Sequence, residues 1–300
     1  MSRTFPALVV SIGKNAAWIV VDGEREARVA DLKRASGKRT MLAPGDRVDV
    51  RVLEDGRTLV DRVHERSFTL QRRSMQGRTK TMAANVDAMA AVSSLANPPP
   101  RLLTLDQLLA FAELEGLEAL VVFTKADLAE TRTVEELAGL YEGLGYTVIV
   151  ANPKSGENME RLQSELAERR ALLCGVSGVG KSTIFRWLGG SATVGAVSRH
   201  GLGKQTTTAA RLHRFEKGFL IDSPGVSEFG LGRIRPDELV GGFREMREAA
   251  TRCKFSDCTH LHEPECGVRA LVGAGIAPSR YSSYRRILAA EDELDPAPPL

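Results

Sequence analysis

Gly175-Val176-Ser177-Gly178-Val179-Gly180-Lys181-Ser182 has the residue types and spacing of a phosphate-binding loop. Glycines there let backbone N–H groups close around phosphate oxygens, and a helix starting behind the loop adds partial positive charge. In such a loop the lysine, Lys181, reaches the β and γ phosphates and is the catalytic cation, while the Ser182 hydroxyl ligates Mg²⁺. Gly175, Ser177, Gly178, Val179, Gly180, Lys181, Ser182 and Thr183 are the expected nucleotide-binding positions. Downstream, Phe219–Ile221 is an apolar strand leading into Asp222-Ser223-Pro224-Gly225. A carboxylate at a strand end suits Mg²⁺, and the Gly225 N–H can approach a γ-phosphate because no Cβ intervenes. Between the two motifs, the polar stretch Gly201–Thr208 offers threonine hydroxyls to the same cation, and Thr207 is assigned as the ligand.

Two further constellations carry chemistry. Thr124-Lys125-Ala126-Asp127 follows the apolar run Val121–Phe123, placing a carboxylate just past a buried strand. Asp127 can accept two parallel hydrogen bonds from guanine N1–H and its exocyclic amine, which adenine does not offer, so the expected nucleotide is GTP or GDP. Cys253-x4-Cys258-x-His260-x5-Cys266 supplies three thiolates and an imidazole, a donor set suited to tetrahedral structural Zn²⁺ and not to Mg²⁺ or Ca²⁺. His262 competes with His260 on spacing alone. All four positions would be filled by protein, so the metal holds a small domain together and does no catalysis.

These groups need elements to position them. The 300 residues, 43% hydrophobic and 26% charged, describe a chain long enough for two or three domains and neither disordered nor fibrous. No apolar run reaches membrane-spanning length and the N-terminal patch lacks a cleavage pattern, so no membrane partner is expected. The net charge of +3 permits a nucleic-acid partner without naming one. Three of the 4 cysteines lie beside histidines, while Cys174 stands alone in an apolar run, which favours metal in a reducing, cytoplasmic setting.

From Phe5 to Arg66 the chain reads as five short strands: Ala7–Ile12, Ala17–Val21, Glu26–Ala30, Asp46–Leu53 and Thr58–Val63. Val48, Val50 and Val52 alternate with Arg47, Asp49 and Arg51, and Pro44-Gly45-Asp46 makes the preceding turn. An OB-type barrel is expected; an SH3-like barrel meets the same strand count. Beyond Arg72-Arg73 strands and helices alternate: Ala88–Val92, a helix after Thr104, Ala119–Phe123, a helix from about Val134, Thr147–Val150, a helix through Arg169, Ala171–Cys174, and a helix over Thr183–Leu188. This is α/β grammar with a parallel sheet. Asn97-Pro98-Pro99-Pro100 is a turn. From about Ile234 the chain is helical around the cysteines, and its last helix carries Arg280, Arg285 and Arg286. The expected division is a barrel over 1–71, a P-loop domain over 72–232 and a mainly α zinc-binding domain over 233–300.

Thr124–Asp127 resembles the Asn-Lys-x-Asp motif of GTPases, with Thr124 in place of Asn. In ordinary GTPases this motif follows the phosphate motifs; here it precedes them, as in circularly permuted GTPases. Asn152-Pro153-Lys154 resembles the second base loop, with Lys154 standing in as donor because Pro153 has no N–H. Barrel, permuted GTPase motifs and cysteine cluster together resemble the bacterial RsgA (YjeQ) family of ribosome small-subunit-dependent GTPases, over nearly the whole chain. The resemblance selects His260 as the fourth zinc ligand. It implies GTP hydrolysis stimulated by the small ribosomal subunit and a role in late subunit maturation, with rRNA as partner; separately, the chain is expected to be a monomer. Val226 follows the Asp222–Gly225 motif, where many GTPases place a water-orienting Gln. The permuted family carries a His before its switch threonines; this chain has Gln205, which can orient water but cannot act as a general base. Lys33, Arg34, Lys38 and Arg39 offer one barrel loop to rRNA phosphates.

Two rival readings use the same residues. One is an ATP-dependent remodeller that binds single-stranded RNA through the barrel, marked by preference for ATP over GTP. The other is a scaffold with a decayed nucleotide site, against which Lys181, Ser182 and Asp222 argue.

Overall fold

The computed structural model describes residues 3–13, 15–24, 26–32, 42–73, 79–189, 211–215, 218–222 and 236–294. They fall into two compact units, one comprising residues 1–87, 163–173 and 182–226 and the other 88–162, 174–181 and 227–300.

In the first unit, β1 (Thr4–Ile12), β2 (Ala16–Val21), β3 (Ala27–Leu32), β4 (Arg47–Val52) and β5 (Thr58–Val63) close into a barrel of order β1-β2-β3-β5-β4. β4 returns antiparallel to β1, and β3 meets β5 in parallel through Asp31↔Leu59 and Leu32↔Val60. That closure is the OB arrangement, so strand order decides between the two barrels that strand count left open. Val9, Ile19, Val48 and Val50 are fully buried inside it, as the alternation in β4 requires. The turn before β4 is pinned from two sides. Asp46 accepts from the Ala43 N–H at 2.7 Å and, bidentately, from Arg66 Nε at 2.7 Å and Nη2 at 2.8 Å. Gly45 has φ +94°, and a Cβ there would lie 2.0 Å from the Ala84 carbonyl oxygen.

A hairpin, β6 (Thr69–Arg73) and β7 (Thr79–Ala84), follows the barrel where the sequence signalled only a change of grammar. Then come β8 (Ala88–Ser94), α1 (Leu102–Leu114), β9 (Glu118–Thr124), α2 (Thr131–Gly143), β10 (Thr147–Ala151), α3 (Met159–Glu165), β11 (Arg170–Cys174), α4 (Lys181–Trp187), β12 (Arg211–Arg214) and β13 (Phe219–Asp222). α3 stops at Glu165, short of the expected Arg169, because Glu168 takes a positive φ that turns the chain into β11. The first unit holds the parallel pair β11–β13 with β12 antiparallel beyond it.

The second unit holds the parallel trio β10-β9-β8, with Ala151 and Ser94 both in register with Thr124 at its carboxyl edge. Every residue of β8 is buried, the mark of a strand covered on both faces. The C-terminal elements α5 (Pro236–Leu239), α6 (Arg244–Ala250), α7 (Gly267–Ala270) and α8 (Pro278–Leu294) share one hydrophobic core with α1: Ala110 packs with Phe243, Met246, Cys258, Tyr284 and Ile287. Inside this core Arg280 and Asp106 are both fully buried. Arg280 donates to Asp106 Oδ1 at 2.6 Å and to Glu245 Oε1 at 2.7 Å, and Tyr141 donates to the same Asp106 oxygen at 2.8 Å. Arg280, which the sequence places on the last helix with Arg285 and Arg286, is thus a core residue. No helix among the described residues is long and apolar enough to cross a membrane.

Candidate functional site

The carboxyl edge of the parallel trio gathers the loops that sequence placed in one site. β9 ends at Thr124, which is fully buried, and its hydroxyl donates to the Val179 carbonyl at 2.6 Å. Thr124 therefore ties the base loop to the P-loop. Lys125 takes φ +59°, which turns its side chain across the same loop, where the ammonium donates to the Gly178 carbonyl at 2.8 Å and to the Asn97 carbonyl. Asp127 sits in a short 3-10 turn, Ala126–Leu128, and stands exposed, its carboxylate presented to solvent beside these anchored residues.

The P-loop leaves β11 at Cys174, whose thiol is wholly buried and pushed up to about 12 by that burial, so it is chemically quiet. Gly175 follows with φ +146°, and a Cβ there would lie 2.1 Å from the Val92 carbonyl oxygen of β8. Gly178 and Gly180 have φ of +82° and +100°, conformations that other residues rarely adopt. The Lys181 ammonium arches back over the loop to the Gly175 and Val176 carbonyls at 2.6 and 2.8 Å. Ser177 and Gly178 are exposed, Val179 is buried and anchors the loop, and Ser182 and Thr183 begin α4. The proline run forms the turn from β8 to α1: Ser94 donates to the Pro98 carbonyl at 2.6 Å, and the Pro98 ring stands 3.5 Å from where a Gly178 Cβ would sit. Sequence reading gave this turn no part in the site, since its contribution through Asn97 is a main-chain oxygen that no residue type announces.

After β10, Asn152 accepts the Lys154 N–H at 3.1 Å, closing a tight loop with the Lys154 side chain exposed. Asp222 ends β13, one position past the Leu172↔Ile221 pair, at the carboxyl edge from which β11 gives way to the P-loop. Gln205, Thr206, Thr207, Thr208, Gly225 and Val226 lie outside the described residues, as do Lys33, Arg34, Lys38 and Arg39.

In the same unit Cys253, Cys258, His260 and Cys266 bring their ligand atoms within 4.8 Å of one another. Cys253 Sγ lies 3.4 Å from His260 Nδ1 and 3.9 Å from Cys266 Sγ, and Cys266 Sγ lies 3.5 Å from His260 Nδ1. Tetrahedral Zn²⁺ with its usual bond lengths sets S···S edges of about 3.8 Å and S···N edges of about 3.5 Å, so the cluster fits that ion. His262 is exposed and only its backbone joins the loop, which settles the choice of histidine. Burial lowers His260 below its ordinary range and keeps a neutral lone pair available; burial also pushes the Cys258 thiol up to about 12, so a cation is what would hold that sulfur as thiolate.

A second layer fixes these ligands. Gly267 N–H points at Cys253 Sγ at 3.3 Å, and Arg269 N–H at Cys266 Sγ at 3.4 Å, where Cys266 caps α7. Tyr281 and Tyr284 of α8 donate to the His260 and Thr259 carbonyls at 2.7 and 3.0 Å. Glu263 gathers the loop by accepting from the Thr259 hydroxyl and from the Thr259, Leu261 and His262 amides; burial works against its charge, but the Thr259 hydroxyl first, with the amides of Glu263, Thr259 and His262, holds its carboxyl well below the usual range. The metal pattern gave no hint of Glu263, although Glu four residues after Thr259 is a recognisable loop-closing pair.

Residues 63–232 match the model of the family described as RsgA GTPase. The small ribosomal subunit biogenesis GTPase RsgA of Haemophilus influenzae is 35% identical over 287 residues, spanning 91% of this chain and 83% of that protein. Its namesake from Yersinia enterocolitica is 36% identical over 271 residues, 87% of this chain and 77% of that one. Among solved structures, YjeQ from Thermotoga maritima superposes with a TM-score of 0.80 at 30% identity, covering 96% of this chain and 99% of its own. YloQ, a circularly permuted GTPase, shares the fold with a TM-score of 0.76 at 22% identity over 99% of this chain and 98% of its own.

Proposed function

Because the chain belongs to the RsgA GTPase family and is a GTP hydrolase, we propose that it acts on the small ribosomal subunit late in its maturation, with hydrolysis stimulated by the subunit. The observation that carries the nucleotide half is the seam between base loop and P-loop, where Thr124 and Lys125 bond to Val179 and Gly178. It fixes the distance between the guanine-reading Asp127 and the phosphate cradle before any nucleotide arrives. The relatives' names support the ribosomal half, and the alternative of an ATP-driven remodeller is not favoured.

In this reading Gly175, Ser177, Gly178, Val179, Gly180, Lys181, Ser182 and Thr183 hold the phosphates, with Gly225 at the γ position. Asp127 reads the base edge, Lys125 lies beneath it, Thr124 braces the loop and Lys154 reaches toward the guanine oxygen. Ser182, Thr207 and Asp222 would hold Mg²⁺, which when bound would supply positive charge to the phosphates. The Lys181 ammonium exchanges carbonyl partners for phosphate oxygens, and Gln205 orients the attacking water. Residues 1–71, 72–232 and 233–300 serve as barrel, GTPase domain and zinc-binding domain. The protein works in the cytoplasm as a monomer, gripping rRNA through its two flanking domains while the GTP state sets that grip.

Steady-state phosphate release tests the reading, measured alone, with purified small subunits and with large subunits as control. Small subunits alone should raise turnover. Gln205→Ala should lower the stimulated rate about tenfold or more at unchanged GTP affinity. Equal turnover in all three conditions would reject the ribosomal assignment.

A further inference from the structure

The exposed face of α8 carries a groove that neither the nucleotide site nor the metal cluster uses. Two cavities of about 340 and 410 Å³ lie along it. The first is walled by the start of α1, including Arg101 and Thr104, and by Ser279, Ser282 and Arg286; the second by Ser282, Arg285, Arg286 and Leu261 of the metal loop. Ser282 and Arg286 line both, so the cavities form one continuous trough. Ser279, Ser282 and Arg286 recur at helical spacing along about 10 Å of axis.

The charge in this trough is unusual for the molecule. Most surface arginines elsewhere are paired: Arg244 and Arg247 with Glu113, Arg252 with Glu248, Arg132 with Glu136, Arg51 with Asp61. Among the residues whose side chains are described Arg101, Arg285 and Arg286 have no carboxylate partner, and no carboxylate lines either cavity. Three guanidinium groups around a groove whose lining holds no carboxylate repel one another, a feature that folding alone does not require. The trough is also rigid. On the opposite face of α8, Arg280 is locked to Asp106 and Glu245, Tyr281 and Tyr284 hold the metal loop, and Ile287 and Leu288 are buried.

We infer that this trough is a docking site for the phosphodiester backbone of RNA, with Arg101, Arg285 and Arg286 neutralising successive phosphates and the Ser279 and Ser282 hydroxyls donating to their oxygens. An elongated row of cations and hydroxyls positions a backbone without reading bases, so binding should be strongly salt-dependent and indifferent to sequence. The inference rests on the ribosomal reading for its choice of RNA.

The test uses the full-length, zinc-loaded chain with two probes: purified small subunits, and a fluorescein-labelled RNA duplex of about 20 base pairs. Arg101→Gln with Arg286→Gln should weaken binding to both probes about tenfold or more and reduce the slope of log K against log salt by about two. Ser282→Glu, which adds charge without removing a cation, should weaken binding in the same direction. Zinc content and GDP affinity should be unchanged in all variants. Small-subunit binding with unaltered affinity and slope in both variants would overturn the trough and leave the ribosomal reading standing. Duplex binding that depends on Arg101 and Arg286, with no binding of small subunits, would retain the trough and remove the ribosomal reading. Displacement of the duplex by polyglutamate as readily as by unlabelled RNA would replace RNA with an acidic protein and overturn the inference.

Discussion

The metal cluster and the nucleotide edge lie in the same unit and place several ligating atoms each, by opposite means. The four metal ligands come from one short stretch, Cys253 to Cys266, whose loop is gathered by bonds converging on Glu263. The nucleotide edge draws on loops far apart in sequence, aligned by the register of parallel strands and already bonded to one another through Thr124 and Lys125. The contrast teaches that the first site depends on its ligand for folding while the second is preformed by the fold.

Removing a metal ligand is the largest way to break that comparison. Cys258→Ala should abolish tight binding of about one Zn²⁺ per chain, forfeiting a contribution on the order of 10 kcal/mol. Hydrogen exchange should then show α7 and α8 unprotected, while GDP affinity changes by less than about threefold. Loss of GDP binding in parallel would make the metal loop a support of the nucleotide edge and end the distinction.

Arg280→Met probes the join between the two regions. It leaves Asp106 and Glu245 buried without their cation, and urea unfolding should show a loss of about 3–5 kcal/mol. Pairing it with Asp106→Leu should recover part of that loss, because the uncompensated charge goes with it. A single substitution within about 0.5 kcal/mol of the parent would mean that apolar packing alone holds α8 to α1.

The smallest effect sharpens the claim of preformation. Thr124→Val keeps shape but removes the 2.6 Å bond to Val179, at a cost of about 1–2 kcal/mol. GDP titration should show affinity falling about tenfold with little change in thermal stability, since the loss falls on alignment of the two loops. Unchanged affinity would show that strand register alone sets their spacing.

Much of this was legible in the chain because the signals are local. The β4 alternation, the P-loop, the Thr124–Asp127 motif and the cysteine spacing each state their own conformation within a dozen residues. What stayed hidden was non-local. The β6–β7 hairpin has no strong turn signature at its tip. The bond from Thr124 to the P-loop shows only once the two loops are seen side by side, and the cations of the last helix look alike although Arg280 is buried and Arg286 is not.

The sequence by itself determined the chemistry available: a phosphate cradle, a carboxylate fit for guanine, a sulfur-rich tetrahedral ligand set, and an order of motifs that makes the GTPase circularly permuted. Those follow from residue type and short spacing, which fix donors, acceptors and backbone freedom before any folding. Only the tertiary structure decided that the barrel closes through β3 and β5, that His260 and not His262 joins the sulfurs, that the proline turn braces the P-loop, and that Asp106 and Arg280 unite the C-terminal helices with α1. Each of these is a pairing between segments distant in the chain, and a pairing is chosen by register, burial and shape together, none of which a residue carries alone.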